Sequence, residues 1–159
     1  MVLKLSAFLR KTLTLDPMQD IPLSEELALQ SDYLAVESTR FSDRMKVSFE
    51  VDDDARDIRV PPLILQPIFE NAVKYGVGAT GGAVEIALWA ERLDDVLVVT
   101  VENDTPPDED GEIPPGMGIG LRNVAERIAT HFGGAATLSS GYIRPGRFAV
   151  RLTLPWHRA

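Results

Sequence analysis

Two pairs of strand-like segments constrain the fold of this chain most. Residues 83–92 (AVEIALWAER) and 96–103 (VLVVTVEN) are joined by a short acidic turn, which predicts a β-hairpin. Residues 135–143 and 147–155 predict a second pair of strands, joined around a proline-glycine turn. Residues 46–51 (KVSFEV) alternate as a further strand does. These segments predict a β-sheet at the centre of the fold.

Helical periodicity separates the strands. Ser24 is a suitable N-cap for one helix, with Glu25 and Glu26 in its first turn. Pro62 can start another, in which Pro67 is tolerated only in the first turn. The predicted helices span residues 5–13, 24–42, 62–76 and 119–132. Helices and hairpins mixed in this order predict an α+β fold, a sheet covered on one face by helices.

Composition excludes several classes of function. The chain has 159 residues, enough for one domain, and no window approaches the roughly 18 uninterrupted apolar residues of a membrane span. A net charge of −8 without a basic cluster disfavours nucleic acid and anionic membranes as partners. The lack of cysteine excludes disulfides and thiolate metal sites. His131 and His157 have no carboxylate or histidine beside them in the sequence, so a histidine metal site is not expected.

The first candidate site is FENAVKYG, residues 69–76, at the end of a predicted helix that is otherwise apolar. At about 100° per residue, Glu70, Asn71 and Lys74 share one sector of the helix and could converge on one ligand. Glu70 and Lys74 are also four residues apart and could instead form a solvent-exposed ion pair. The ion pair does not explain Asn71, because asparagine is a mediocre helix former and supports no such pair.

The second candidate site is GMGIGLRNVAERI, residues 116–128. Gly116, Gly118 and Gly120 lead directly into a helix, where a bare backbone can approach an anion and present unpaired N–H groups to it. The spacing differs from the GxGxxG dinucleotide fingerprint, and the Walker Lys-Ser/Thr is absent. A flexible hinge into the helix is the alternative interpretation.

The third candidate site is the end of the strand VTVEND. It offers Asn103 and Asp104 to whatever lies beyond the edge of the sheet. An Asn-Asp pair is also an ordinary turn signal. A long loop without periodicity, residues 104–118, separates this strand from the following helix.

Taken in this order, the three motifs resemble the ATP-binding domain shared by histidine kinases, gyrase and MutL, the GHKL or Bergerat fold. More narrowly, IPLSEELALQSDYLAVESTRFSDRMKV, VPPLILQPIFENAVKYG and GMGIGLRNVAERI look like the LytS/YehU-type sensor histidine kinases. The resemblance covers residues 3–155. It implies a two-layer α+β sandwich with a mixed, mostly antiparallel sheet and an N-terminal helical appendage. It also implies a domain that binds ATP and transfers its γ-phosphate to a histidine.

The resemblance implies a role for each candidate residue. Asn71 would bind the Mg²⁺ that bridges the phosphates, and Lys74 would neutralise phosphate charge. Glu70 would act as a base or an orienting group for the incoming histidine. The other nucleotide-binding residues would be Asn103, Asp104, Gly116, Gly118, Gly120 and Leu121.

Two features depart from the family pattern. The adenine-reading segment of the family usually runs Asp-x-Gly-x-Gly, whereas residues 103–107 are Asn-Asp-Thr-Pro-Pro. The side-chain oxygen of Asn103 can accept the same hydrogen bond from adenine without the charge of a carboxylate, which predicts retained selectivity at lower affinity. The loop beside the expected polyanion site is itself acidic. We expect it to be solvated and disordered; a regulatory role, or a lid that closes poorly without metal, is the alternative. Its acidic residues are Asp108, Glu109, Asp110 and Glu112.

The family places its phosphoacceptor histidine in an NPHFLFN-like segment upstream, and nothing like it occurs in this chain. We therefore expect the chain to bind ATP without phosphorylating itself. Residues 1–20 would be the end of a dimerisation helix and a linker, and residues 21–159 the catalytic domain. The implied partners are the dimerisation domain of a homodimeric parent kinase and a response regulator. The fragment itself would be a monomer or weak dimer, from the cytoplasmic part of a membrane-anchored parent.

Two other interpretations of the sequence remain open. A related ATPase or an anti-sigma-factor serine kinase would share the nucleotide site but not the helix that begins with PLSEEL. A degenerate nucleotide-binding or interaction module would account for the altered adenine segment.

Overall fold

The structure is a computed structural model that describes residues 2–41, 44–79, 81–106 and 117–156. In these ranges the chain forms four α-helices: α1 (Val2–Leu13), α2 (Leu23–Phe41), α3 (Gln66–Tyr75) and α4 (Met117–Phe132). It also forms seven strands: β1 (Ile21–Pro22), β2 (Met45–Val51), β3 (Arg59–Val60), β4 (Val84–Leu93), β5 (Val96–Asp104), β6 (Thr137–Arg144) and β7 (Arg147–Pro155).

Five strands form the central sheet, in the order β2-β4-β5-β7-β6. β4 with β5 and β6 with β7 are antiparallel hairpins, as the sequence predicts, and β5 pairs with β7 to join them. β2 pairs with β4 in parallel, so the chain crosses over between them through α3. β1 and β3 form a separate two-residue pair that was not predicted, because two residues carry no periodicity.

The core lies between this sheet and α2, α3 and α4. Inward-facing strand residues such as Ile86 and Leu88 are fully buried. Phe69 of α3 and Ile128 of α4 pack in the same cluster. The predicted α+β sandwich, with helices on a mixed and mostly antiparallel sheet, is therefore confirmed.

The starts of α2 and α3 differ from the predicted ones. α2 begins at Leu23, so Ser24 lies inside the helix and is not its N-cap. The first N–H groups of α2 donate instead to backbone carbonyls, from Leu23 to Ile58 and from Ser24 to Arg56. α3 begins at Gln66 rather than at residue 62, which leaves the proline at position 67 in the first turn, where its missing N–H is harmless.

A buried carboxylate explains the late start of α3. Glu26 of α2 is fully buried, and it accepts hydrogen bonds from the backbone N–H of Leu63 (2.8 Å) and Leu65 (3.0 Å). These bonds hold a tight turn in which Leu63 has a left-handed backbone, with φ of 61°. The turn directs α3 so that its apolar face packs against the sheet. Glu26 thus lies in the first turn of α2, as predicted, but its side chain belongs to the core.

The N-terminal helix packs against α2. The ring of Phe8 lies 5.9 Å from that of Tyr33, and Lys11 forms an ion pair with Asp32 at 2.6 Å. Leu3 and Leu13 on the same helix are exposed. Across the described ranges, no helix is both long enough and apolar enough to cross a lipid bilayer.

Candidate functional site

The side chain of Asn71 on α3 lies beside the first turn of α4. A Cβ atom added at Gly120 would be 3.5 Å from Asn71 Oδ1 and 3.6 Å from its Nδ2. α4 begins at Met117, two residues before its predicted start, so Gly118 and Gly120 both belong to its first turn. A Cβ at Gly118 would meet no atom within 4 Å. The structure therefore brings Asn71 and these two glycines together at a helix N-terminus.

Two other candidates from the glycine motif have different positions. Gly116 lies outside the described residues, as do the four acidic residues of the loop. Leu121 is only 5% exposed and belongs to the hydrophobic core. Its side chain therefore packs inside the domain and anchors α4 there.

Glu70 and Lys74 occupy a different surface of α3 from Asn71. They line a cleft of about 400 Å³ together with Tyr33, Glu37 and other residues of α2. Among the ion pairs of the described residues, none joins Glu70 to Lys74. Glu70 accepts a hydrogen bond from Gln66 Nε2 (3.2 Å). The alternative i,i+4 ion pair is therefore not formed. Glu70 and Lys74 face the cleft, whereas Asn71 faces the first turn of α4.

The walls of this cleft carry charges of both signs. Burial raises the pKa of Tyr33, and the negative charges of Glu37 and Glu70 raise it further. The ammonium group of Lys74 lies 5.2 Å from the centre of the Tyr75 ring, and Arg40 pairs with Glu37 at 3.2 Å.

The end of β5 packs against the C-terminus of α3. Asn103 is 4% exposed, and its Nδ2 donates to the carbonyl of Asp104 (3.0 Å). Thr105 Oγ1 donates to the carbonyl of Tyr75 (2.9 Å), which satisfies an acceptor at the end of the helix. Gly76 makes this approach possible, because a Cβ there would lie 2.8 Å from the Asp104 carbonyl oxygen and 3.2 Å from Asn103 Nδ2.

Asp104 is engaged by an ion cluster that sequence analysis missed. Arg147 of β7 pairs with Asp104 (2.9 Å), Glu85 (3.0 Å) and Glu102 (3.0 Å); we call these four residues the Arg147 cluster. The other oxygen of Asp104 accepts the backbone N–H of Glu85 (2.9 Å). Burial opposes the charge of Arg147, but hydrogen bonds and attraction from Glu102 and Asp104 raise its pKa above the usual value. No sequence signal joins β5 to β7, so this cluster could not be predicted.

A second buried network lies at the other end of α3. Arg127 of α4 donates to the carbonyl of Pro62 at 2.5 Å, in the turn that Glu26 holds. Burial raises the pKa of Glu26, against the opposing effects of backbone N–H groups and of Arg127. Burial lowers the pKa of Arg127, against the charges of Glu26 and Asp20.

The described residues contain no group of three or more His, Cys, Asp or Glu side chains that could hold a metal ion. His131 does have a carboxylate neighbour in space, since its Nε2 lies 3.2 Å from Asp20, but this is a single pair. Within residues 2–41, 44–79, 81–106 and 117–156, a metal bound by several carboxylates or histidines is therefore not supported. The neutral amide oxygen of Asn71 remains a chemically suitable ligand for a hard cation that keeps most of its coordination for phosphates and water.

Sequence comparison matches the chain to sensor histidine kinases. A family model described as histidine kinase matches residues 1–45. The sensor histidine kinase YesM of Bacillus subtilis is 34% identical over 116 residues, 71% of this chain and 20% of YesM. The sensor histidine kinase/phosphatase LytS of Staphylococcus aureus is 28% identical over 149 residues, 87% of this chain and 26% of LytS. The chain thus spans about a fifth to a quarter of the length of these relatives.

Solved structures match over nearly the whole chain. The catalytic domain of the histidine kinase ThkA superposes with a TM-score of 0.63 at 19% identity, covering 88% of this chain and 97% of that domain. ThkA in complex with the response regulator protein TrrA gives a TM-score of 0.60 at 19% identity, covering 98% of this chain and 48% of the matched chain. The fold is thus that of histidine kinase catalytic domains. The sequence matches show that the chain belongs to the LytS/YehU-type sensor histidine kinases, and its fold is that of their catalytic domain.

Proposed function

We propose that this chain binds ATP and transfers its γ-phosphoryl group to a histidine on a dimerisation domain outside the sequence. The observation that carries the proposal is the approach of Asn71 to Gly120, 3.5 Å between the Asn71 Oδ1 and a Cβ position on the first turn of α4. A hard oxygen ligand and the exposed backbone of a helix N-terminus together suit a phosphate chain with its cation. Phosphoryl transfer needs mainly positioning and charge stabilisation, which such groups supply.

The phosphate end of the site is assigned to α3 and α4. Asn71 would hold Mg²⁺, which takes one or two protein ligands and otherwise keeps phosphate oxygens and water. When bound, the ion would neutralise charge on the phosphates. The backbone N–H of Gly118 would contact phosphate oxygens, Gly120 would leave room for their approach, and the macrodipole of α4 would favour their negative charge. Lys74, in the neighbouring cleft against α2, would add a positive charge that partly neutralises the phosphates.

Glu70 is proposed as the base or orienting group for the incoming histidine. It is exposed on α3, one residue from Asn71, and lines the cleft against α2. A carboxylate there can accept the proton of an imidazole N–H, which leaves the other ring nitrogen properly oriented to attack. The incoming histidine would then approach the site along the α2 side of α3.

The base end of the nucleotide is assigned to Asn103. Its Nδ2 already donates to the Asp104 carbonyl, so Oδ1 is the atom that would accept a hydrogen bond from the 6-amino group of adenine. Asp104 would act only indirectly, because its carboxylate is engaged in the Arg147 cluster.

The wider assignments rest on the relatives. We propose that residues 1–20 end a dimerisation helix and its linker, and that residues 21–159 form the catalytic domain. The contact of Phe8 with Tyr33 holds α1 against this domain, and the exposed Leu3 and Leu13 would suit contact with a dimerisation helix. Partners would be the dimerisation domain of a homodimeric parent and a response regulator, as in the ThkA–TrrA complex. The parent would be membrane-anchored, with this domain in the cytoplasm.

Calorimetry with ATP and ADP, with and without Mg²⁺, tests the proposal. We expect binding that depends on Mg²⁺ and that Asn71→Ala removes, while the circular dichroism spectrum of the variant stays that of the wild type. Asn123→Ala is a matched control, because Asn123 is an exposed asparagine elsewhere on α4. Equal Mg·ATP affinity in Asn71→Ala and wild type would remove Asn71 from the site.

One observation favours a second candidate, a degenerate module that interacts with partners without using nucleotide. The carboxylate of Asp104, beside the expected adenine site, accepts hydrogen bonds from Arg147 and from the backbone N–H of Glu85, so it is not free for a ligand. Absence of binding at millimolar ATP in the wild type would support this candidate. Phosphotransfer to a histidine segment of a LytS-type relative, added in trans, would exclude it.

A further inference from the structure

The Arg147 cluster sets one cation against three carboxylates on two adjacent strands. Glu85 lies on β4, and Glu102 and Asp104 lie on β5. Like charges on neighbouring strands repel, so Arg147 is the group that keeps these carboxylates together. Three different nitrogens of its planar guanidinium each face one of the carboxylates, whereas the three donors of a lysine radiate from one atom and cannot reproduce that fixed spacing. Asp104 is the last residue of its strand, and loss of Arg147 would leave its carboxylate with a single partner among the described residues, the backbone N–H of Glu85.

Asp104 connects this cluster to Asn103. Its carboxylate accepts from Arg147 and from the Glu85 N–H, while its carbonyl accepts from Asn103 Nδ2. A carbonyl only accepts hydrogen bonds, so the bond fixes the amide with its donor end toward Asp104 and its acceptor end toward a ligand. At 4% exposure, Asn103 has little access to water that could replace this bond. Movement of the Asp104 backbone would therefore release the amide.

We infer that Arg147 is a positioning residue for purine selection, holding Asp104 so that Asn103 presents its oxygen to the base. The inference deepens the proposed nucleotide site and rests on it. An amide fixed in this orientation favours a base with an amino group at position 6, as in adenine, and disfavours a base with a carbonyl there, as in hypoxanthine or guanine. A released amide can turn and donate to such a carbonyl, which erases the preference.

The experiment compares Mg·ATP with Mg·ITP, whose bases differ in an amino against a carbonyl group at position 6, by calorimetry. Inorganic triphosphate with Mg²⁺ serves as the ligand without a base. We expect the wild type to prefer ATP. In Arg147→Met the ATP-to-ITP affinity ratio should fall about threefold to tenfold, the worth of one hydrogen bond between neutral groups. The affinity for inorganic triphosphate should remain within about twofold of the wild type. Arg147→Lys should give an intermediate ratio.

The matched control is Arg151→Met, the same change at an exposed arginine on the same strand. Its ratio should equal that of the wild type. If Arg147→Met does not fold, Arg147→Lys and Asp104→Asn carry the test, and both should lower the ratio.

Three outcomes are decisive. A folded Arg147 variant with an unchanged ratio overturns this inference and leaves the proposed function standing. A wild type that binds ATP and ITP equally also overturns it, since no base preference would then exist. A wild type that binds no nucleotide removes the proposed function and this inference with it.

Discussion

Among the described glycines, Gly76 is the one at which we expect alanine to lower the free energy of unfolding most. It follows α3 and is buried between that helix and the end of β5. A Cβ at this residue would lie 2.4 Å from the carbonyl oxygen of Ala72 and 2.8 Å from that of Asp104. Both neighbours are backbone atoms of regular elements, so neither can rotate away as a side chain would. The constraint is one of space, because the φ of Gly76 is −92°, a value that alanine also adopts.

The size of the effect follows from these distances. A carbon and a carbonyl oxygen pack at about 3.3 Å or more, so the last turn of α3 must open by about 0.9 Å and the end of β5 must move away by about 0.5 Å. Overpacking of this kind costs about 1–3 kcal/mol, and backbone neighbours place Gly76→Ala near the upper end. Fewer unfolded conformations for alanine would offset about 0.4–1 kcal/mol of that cost. We expect a net loss of about 2 kcal/mol in the free energy of unfolding.

Urea denaturation followed by circular dichroism measures this loss. Gly82→Ala and Gly141→Ala are controls, because a Cβ at either position meets no atom within 4 Å. Both should remain within about 0.5 kcal/mol of the wild type, as ordinary surface changes do. The reasoning would be refuted if Gly76→Ala were as stable as these controls. Since the clash also involves Asn103, the variant should bind ATP more weakly even under conditions where it is fully folded.

Three further outcomes are expected. Burial raises the pKa of Glu26 above its ordinary value of 4.5, so its contribution to stability is full below pH 4.5 and is lost as the pH rises through the raised pKa. Urea titrations should therefore show the wild type losing stability relative to Glu26→Gln from pH 4.5 towards neutrality, and a constant difference would contradict this. Gly120→Ala should keep or raise stability by up to about 1 kcal/mol through helix propensity, but weaken Mg·ATP binding in calorimetry because its methyl group contacts Asn71. Incubation of the chain alone with Mg·ATP should leave His131 and His157 unphosphorylated, and acid-labile phosphate on either would refute the proposed dependence on an external histidine.

The sequence by itself determined most of the secondary structure and the class of the fold. Strands β4 to β7 follow alternating segments separated by turns, and periodic apolar residues mark α2, α3 and α4. These signals are local, because side-chain direction repeats every two residues in a strand and every 3.6 in a helix. The family followed from the order of three motifs, and the comparisons confirm it.

Only the tertiary structure decided how the polar residues are used. On a helical wheel Glu70, Asn71 and Lys74 share a sector, but packing against α2 and α4 sends Asn71 toward Gly120 and the other two toward the cleft. The sequence also gave no sign of what the buried charged residues do. Glu26 holds a turn 37 residues further along the chain, and Arg147 meets a carboxylate 62 residues before it. Such partners are chosen by the pairing of strands and the packing of helices, because a buried charge must find its hydrogen bonds wherever the fold brings them, and no local pattern records that choice.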